Sequence, residues 1–184
     1  MHSLHKILVH IPDIPLDSAT CSKEDFIDRV RSYAEEQTSD GYMTVFDWRE
    51  TDSAGRWEAQ YPVNVLFAKE DSEQFIQELI DVQKYQHQEI QYALDELSKK
   101  AGTDLKQIIC EVEKMNNQHE ITKTVDLMTT FYLSRIASLL YGQYIFQSYF
   151  YNISGETSRV YPQDIEAIKN NPEDWALVLF DYHY

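Results

Sequence analysis

The sequence predicts an α+β fold, with a small antiparallel sheet built from N-terminal strands and the C-terminal strand. An inserted pair of long antiparallel helices, plus shorter helices, packs with this sheet. Short β-branched apolar runs near both ends predict the strands, and helical periodicity between residues 71 and 154 predicts the helices. A chain of 184 residues with 43% hydrophobic residues can form one self-sufficient hydrophobic core. We expect a single domain over 1–184, with 1–70 and 155–184 forming the sheet part and 71–154 the helical part.

The N-terminal third contains a predicted strand, a helix and a hairpin. Residues 7–11 are rich in β-branched side chains and are followed by Pro12, which ends the strand. Ser22 is a suitable N-cap for a helix of about four turns, which ends at residues 40–41. Residues 42–48 alternate as a second strand, residues 51–55 have turn chemistry, and Arg56 begins a predicted return strand.

The central part predicts three helices. Asp71 begins a helix over 72–100, whose apolar and amide side chains recur four and three residues apart. A shorter helix begins at Asp104, and a long one covers about 122–151. Each long helix carries such a stripe of side chains, here called its seam, and the matching seams of the two helices predict antiparallel packing. The seam of the first long helix is predicted to comprise Ile76, Ile80, Gln83, His87, Ile90, Leu94, Leu97 and Ala101.

The C-terminal part predicts a short strand over 158–161, a brief helix and a final strand. Pro162 suits the first position of the helix, which ends near residues 170–172. Residues 175–184 are rich in β-formers, and we expect this strand to return to the N-terminal sheet.

The charge of the chain excludes one class of function. Sixteen Lys and Arg against 31 Asp and Glu leave a net charge of −15, so a general nucleic-acid binder that works by counterion release is excluded. Residues 12–60 carry 12 acidic and 5 basic side chains, which is nearly half of the net charge. This acidity is typical of a solvated surface, and it also fits a surface that faces a basic groove of a protein partner. We expect no direct binding of free nucleic acid.

Other sequence features narrow the setting. Cys21 and Cys110 have no metal-ligand spacing, which favours a reducing cytoplasm. No signal peptide or membrane span is predicted, and we expect neither a cofactor nor a metal. None of the six histidines has Glu three residues before it, which argues against a ferritin-like metal site. His87 beside Gln83 is instead interpreted as a buried polar pair that sets helix register.

One polar cluster is the main candidate binding site. Two tryptophans and two arginines among carboxylates form either an interface anchor or a self-contained network of stacked and paired side chains. The candidate binding residues are Asp47, Trp48, Arg49, Glu50, Asp52, Arg56 and Trp57.

Two further sets of residues are candidates. His10, Asp181 and His183 could supply acid–base groups, as could His2 and His5, although histidines that alternate with apolar residues are more often strand surface. Six aromatic residues between 141 and 151 favour a protein interface or a dimer seam.

The candidate binding segment resembles a D-W-x-x-x-G-G-R-W pattern of small phage and mobile-element proteins. Asp47, Trp48, Gly55, Arg56 and Trp57 match, Ala54 replaces the first glycine, and the intervening loop is two residues longer. In size, acidity and aromatic content the chain is similar to anti-CRISPR proteins that inhibit the type II effector nuclease. That resemblance implies binding, within the host bacterial cytoplasm, to a nuclease or its guide complex through an acidic Trp- and Tyr-bearing surface.

Three functions therefore follow as hypotheses. The first is an inhibitor that masks the basic groove of a defence nuclease, with Asp47, Glu50 and Asp52 as the competing carboxylates. The second is a metal-independent ribonuclease that truncates the guide RNA when the nuclease presents it. The third is a structural or regulatory helical protein that dimerises through its long seams.

Overall fold

The structure is a computed structural model, and it describes residues 2–15, 22–38, 48–101, 106–107, 110, 127–140 and 149–183. The α+β class is confirmed. The strands are β1 (His2–His10), β2 (Trp48–Glu50), β3 (Val65–Phe67), β4 (Phe150–Tyr151) and β5 (Trp175–His183). The helices are α1 (Lys23–Gln37), α2 (Ser72–Ala101), α3 (Leu127–Leu140) and α4 (Pro162–Asn170).

The chain divides into two compact units. The first comprises residues 1–83 together with 148–184, and the second comprises residues 84–147. About three turns of α2 therefore belong to the unit that carries the sheet. The assignment of 1–184 to one domain stays a prediction.

The sheet is organised around β5. The strand order is β2-β5-β1-β4, and β3 also pairs with β5. β1 and β5 are antiparallel over nine residue pairs, from His2–His183 to His10–Trp175, which confirms that the C-terminal strand returns to the N-terminal one. The sheet is mixed, because β4 pairs with β1 in parallel. β1 begins at His2, five residues before the predicted strand, because the polar side chains of Ser3 and His5 find partners in the interior.

Helices cover both faces of the sheet, so nearly all of β5 is buried. On one face Val178 and Phe180 pack with Val30 and Ala34 of α1. On the other face Leu177 and Leu179 pack in a cluster that also contains Phe75 and Leu79 of α2 and Ile165 and Ile168 of α4. The predicted caps hold, because Ser22 and Asp25 form a capping box at α1 and Pro162 begins α4.

The predicted hairpin is wrong. Residues 55–57 form a 3-10 turn instead of a return strand, and β2 pairs with β5. Turn chemistry at 51–55 therefore leads into a connection, and the partner of β2 lies far away in sequence. The strand predicted over 42–48 lies outside the described residues except for Trp48, which begins β2.

Two predictions near the C-terminal part are also corrected. The long helix predicted to reach residue 151 cannot do so, because Phe150 and Tyr151 form β4. Aromatic residues favour strands, and here they pair with β1. Residues 158–161 are not a strand, and Tyr151 and Thr157 form an isolated bridge. Residues 141–148 and nearly all of the short helix predicted from Asp104 lie outside the described residues.

Over most of α2 the buried seam is offset by one residue from the predicted seam, whereas Leu97 is buried as predicted. Apolar residues stand at both 75 and 76 and at both 79 and 80, so two overlapping heptads are possible, and the fold buries the earlier one. His87 is exposed and Gln86 is buried, so the predicted Gln83–His87 pair is wrong. The buried seam comprises Phe75, Leu79, Val82, Gln86, Ala93 and Leu97.

The second unit contains the end of α2 and helix α3. Ala93 and Leu97 pack with Tyr132 of α3, and Glu89 forms an ion pair with Arg135. The earlier residue of α2 meets the later residue of α3, so the two helices run antiparallel, as predicted. No helix within the described residues is long and apolar enough to cross a membrane.

A buried ion pair fastens β1 to α2 in the first unit. Lys6 Nζ lies 2.6 Å from Glu78 Oε2, and the Tyr61 hydroxyl donates to Glu78 Oε1 at 2.6 Å. Burial is the main cause of the raised pKa of Tyr61, and the hydrogen bond to Glu78 raises it further. Both charged side chains are largely buried, so each depends on the other for compensation.

We expect Glu78→Leu to lower the free energy of unfolding by about 3 kcal/mol, because it leaves the Lys6 ammonium buried without a carboxylate. Adding Lys6→Met should recover most of that loss, since an apolar pair of similar volume carries no unpaired charge. Urea unfolding of the two variants and the wild type measures both effects. A double variant less stable than Glu78→Leu would contradict this assignment.

His5 occupies a sealed polar cluster on the α1 face of the sheet. Its Nε2 lies 3.0 Å from Ser3 Oγ, its Nδ1 lies 2.9 Å from the Tyr151 hydroxyl, and its ring stacks on Tyr182 with centroids 3.9 Å apart. Its side chain is 1% exposed, and burial lowers the pKa of His5 to about 3. The imidazole is therefore neutral in the folded protein at all but strongly acidic pH.

This burial makes stability depend on pH. The unfolded His5 binds a proton below its ordinary pKa of about 6.5 whereas the folded one does not, so its contribution is lost as pH falls from 6.5 toward 3. We expect His5→Gln to reduce the loss of unfolding free energy between pH 7.5 and pH 5 by about 2 kcal/mol. Denaturant unfolding of the wild type and the variant at the two pH values measures this difference, and an equal loss in both proteins would contradict the role assigned to His5.

Candidate functional site

A polar cluster lies at one end of the sheet, on the face that packs against α2 and α4. The register places Trp48 of β2, His183 of β5 and His2 of β1 in one row across three strands. Asp181 precedes His183 by two residues, so its side chain projects from the same face. Four side chains from three strands that are distant in sequence therefore meet in one place.

His2 and Asp181 form the centre of this cluster. His2 Nδ1 lies 2.9 Å from Asp181 Oδ1 and 3.1 Å from Oδ2. The carboxylate is 1% exposed, whereas the imidazole side chain is 19% exposed. A buried carboxylate that accepts from Nδ1 fixes the ring orientation and favours the tautomer with its lone pair on Nε2. His2 is therefore an oriented and accessible base.

Aromatic rings surround this pair. The His2 and His183 rings meet edge to face with centroids 4.8 Å apart, and the Trp48 ring lies 6.0 Å from His2. Trp48 is 43% exposed, so part of its indole faces solvent. The cluster thus combines two imidazoles with an exposed aromatic surface.

The turn at residues 55–57 completes the cluster from a second direction. The Arg56 backbone N–H donates to Asp181 Oδ2 at 3.1 Å, and the Arg56 side chain is exposed. Gly55 has a φ of +53°, and a Cβ at this position would lie 2.4 Å from Asp181 Oδ2. The glycine and arginine of the partial sequence pattern therefore hold the Asp181 carboxylate, since only glycine lets the backbone approach so closely.

The candidate catalytic set is partly brought together. Asp181 and His183 share the cluster, but His10 lies at the opposite end of β1, about 26 Å from His2, so the structure does not bring it together with the other two. His10 instead lies 3.0 Å from Asp13 and packs on Trp175. His2 takes its place. The sequence also offered His2 and His5 as candidates, and the antiparallel register of β1 with β5 distinguishes between them, because it sets His2 opposite His183.

The candidate binding residues do not form one surface. Arg49 points to the opposite sheet face, where it donates to Glu35 at 3.0 Å, because neighbouring strand residues alternate. Trp57 packs against the core, and Glu50 accepts the backbone N–H of Asp52. Trp48, Asp52 and Arg56 remain exposed, while Asp47 lies outside the described residues.

Asp52 belongs to a separate groove beside α1. This groove of about 200 Å³ is lined by Glu24, Asp28 and Arg31 of α1, by Asp52, and by the apolar Ile27, Pro62 and Val63. Arg31 is already bound to Asp28 at 2.6 Å and to Asn64 at 3.1 Å. A neighbouring groove of about 300 Å³ shares Ile27, Pro62 and Val63 and adds Lys23, Glu70 and Asp71. We refer to these two together as the acidic groove.

Within the described ranges, no group of three His, Cys, Asp or Glu side chains is arranged to hold a metal ion. Comparison of this chain with protein-family models, with curated proteins and with solved structures finds no significant match.

We expect Gly55→Ala to lower the free energy of unfolding by about 2 kcal/mol, because a left-handed φ and contact with Asp181 both oppose a Cβ. Thermal unfolding measures the loss, and Glu58→Ala on the adjoining exposed position is the control with little effect. In an Asp181→Ala background, which removes the atoms in contact, Gly55→Ala should cost less. An equal cost in both backgrounds would exclude the proposed close packing.

Proposed function

We propose that this protein inhibits a host-defence nuclease, of the type II CRISPR effector class, by binding a basic surface of that nuclease through the acidic groove. The observation that carries the proposal is the composition of the groove. Five carboxylates and two cations surround exposed Pro62 and Val63, which is 48% exposed. A partner segment that combines basic and apolar side chains fits this arrangement.

The net charge of the chain also supports binding to a basic protein surface. The net charge of −15 repels nucleic acid and attracts a protein whose channel is lined by Lys and Arg. Type II effectors hold guide and target in positively charged channels. Carboxylates placed on a folded surface compete for those cations without an entropic cost of ordering a chain.

The residues that line the acidic groove change the set of carboxylates proposed to compete for the cations of the partner. Asp52 stays in the proposed surface, and Glu24 and Asp28 of α1 join it. Glu50 is occupied by the Asp52 backbone, so it contributes to the shape of the turn. Trp48 lies in the cluster around Asp181, apart from the acidic groove.

We expect the triple variant Glu24→Gln, Asp28→Asn, Asp52→Asn to be a weaker inhibitor of DNA cleavage by a guide-loaded type II effector, by at least about tenfold. The reason is that close pairs of opposite charge across an interface each contribute to the binding energy. A dose series of the protein against a fixed nuclease concentration measures inhibition. Raising the salt should weaken the wild type and narrow its difference from the variant.

The control triple variant is Glu156→Gln, Glu166→Gln, Asp95→Asn, which changes the net charge equally at exposed positions outside the groove. It should inhibit as well as the wild type. Equal loss in both triple variants would show that net charge alone acts. Absence of both inhibition and binding in the wild type would overturn the proposed function.

A further inference from the structure

We propose that His2, Asp181 and His183 form an acid–base site that cleaves the backbone of single-stranded RNA. The inference rests on the proposed function in one respect, since an acidic chain meets RNA chiefly when a bound nuclease presents it. The proposed function requires only binding to the nuclease, and the RNA cleavage inferred here adds a chemical step to it.

The geometry assigns His2 the role of general base. Asp181 receives two hydrogen bonds, one from His2 Nδ1 and one from the Arg56 backbone, and both come from groups fixed by the sheet and the turn. Its buried charge stabilises the imidazolium that forms when His2 takes up a proton. Asp181 is therefore a positioning residue, and Nε2 of His2 is the nitrogen that reacts.

The neighbouring side chains suit an RNA substrate. His183 provides a second imidazole beside the first, as a general acid requires. The exposed indole of Trp48 offers a stacking surface for an unpaired base, and such stacking is tolerant of sequence. The exposed guanidinium of Arg56, carried by the same turn that holds Asp181, is suited to the negative charge of a phosphodiester.

The reaction balances without an added reactant. Neutral His2 takes the proton of a ribose 2′-hydroxyl, and the 2′-oxygen attacks the adjacent phosphorus. The P–O2′ bond forms, the P–O5′ bond breaks, and protonated His183 gives its proton to the departing 5′-oxygen. The products are a 2′,3′-cyclic phosphate and a 5′-hydroxyl, and proton exchange with water restores both imidazoles.

The test incubates the full chain in EDTA with two substrates: the guide-loaded type II effector and a free single-stranded RNA oligonucleotide at low salt. Denaturing gels read cleavage, and end-group analysis identifies a cyclic phosphate. We expect cleavage of the effector-bound guide, slower cleavage of the free RNA, and none at a position that carries a single 2′-deoxyribose. Intact RNA with both substrates would overturn the inference.

Variants separate catalysis from folding. We expect His2→Ala and His183→Ala to reduce cleavage at least about a hundredfold, as is typical for loss of a general acid or base. His10→Ala, on the same strand but outside the cluster, should keep full activity. Asp181→Asn should slow cleavage and shift the pH–rate profile, which a merely structural role would not do when thermal unfolding shows the fold intact. Retained cleavage in folded His2→Ala would also overturn the inference.

Failure of this inference is distinguishable from failure of the proposed function. Folded His2→Ala keeps the acidic groove, so it should still bind the effector and inhibit DNA cleavage by masking. Binding with an intact guide would refute the catalytic site alone. Absence of binding, together with cleavage of free RNA that depends on His2, would refute the proposed partner and retain the catalytic site.

Discussion

The antiparallel pairing of β1 with β5 is the constraint on which the rest of the first unit depends. It joins the first and last described strands over nine residue pairs, and each of the other strands that the structure describes pairs with one of these two. Closing so long a loop costs entropy, which extensive burial on both faces of β5 offsets. The pairing also sets His2 opposite His183 and thereby determines which polar groups meet.

The same strand pair creates two histidine environments that differ in chemistry. His5 faces α1, is sealed from water and has a pKa lowered to about 3, so it is confined to a neutral, structural role. His2, three residues earlier on the opposite face, is held by a carboxylate and reaches solvent. Alternation along one strand therefore separates a structural imidazole from an oriented, accessible one within a few ångströms of sheet thickness.

The sequence predicted local structure better than pairing. The caps of α1 and α4, the extent of α2 and the return of the last strand followed from residue patterns that act over a few positions. The hairpin failed because turn residues at 51–55 do not specify the partner of β2, which lies over 120 residues away in sequence. The seam of α2 failed because two apolar seams one residue apart satisfy the same heptad, and only tertiary packing chooses between them. Asp181, His183 and His2 were all candidates from the sequence, but only the strand register shows that His2, and not His10, lies beside the other two.

The segment of residues 48–57 contributes side chains to two different sites. Arg49 and Trp57 are used for packing, Gly55 and the Arg56 backbone hold Asp181, and Asp52 lies on the acidic groove. A chain of net charge −15 gains little affinity for RNA from one guanidinium and one indole. In the proposed function, affinity comes from the carboxylates of the acidic groove, and in the further inference the chemistry comes from His2 and His183. Because the two sets of side chains share the segment but no residue, substitutions at one leave the geometry of the other in place, and the proposed binding and the proposed catalysis are separable.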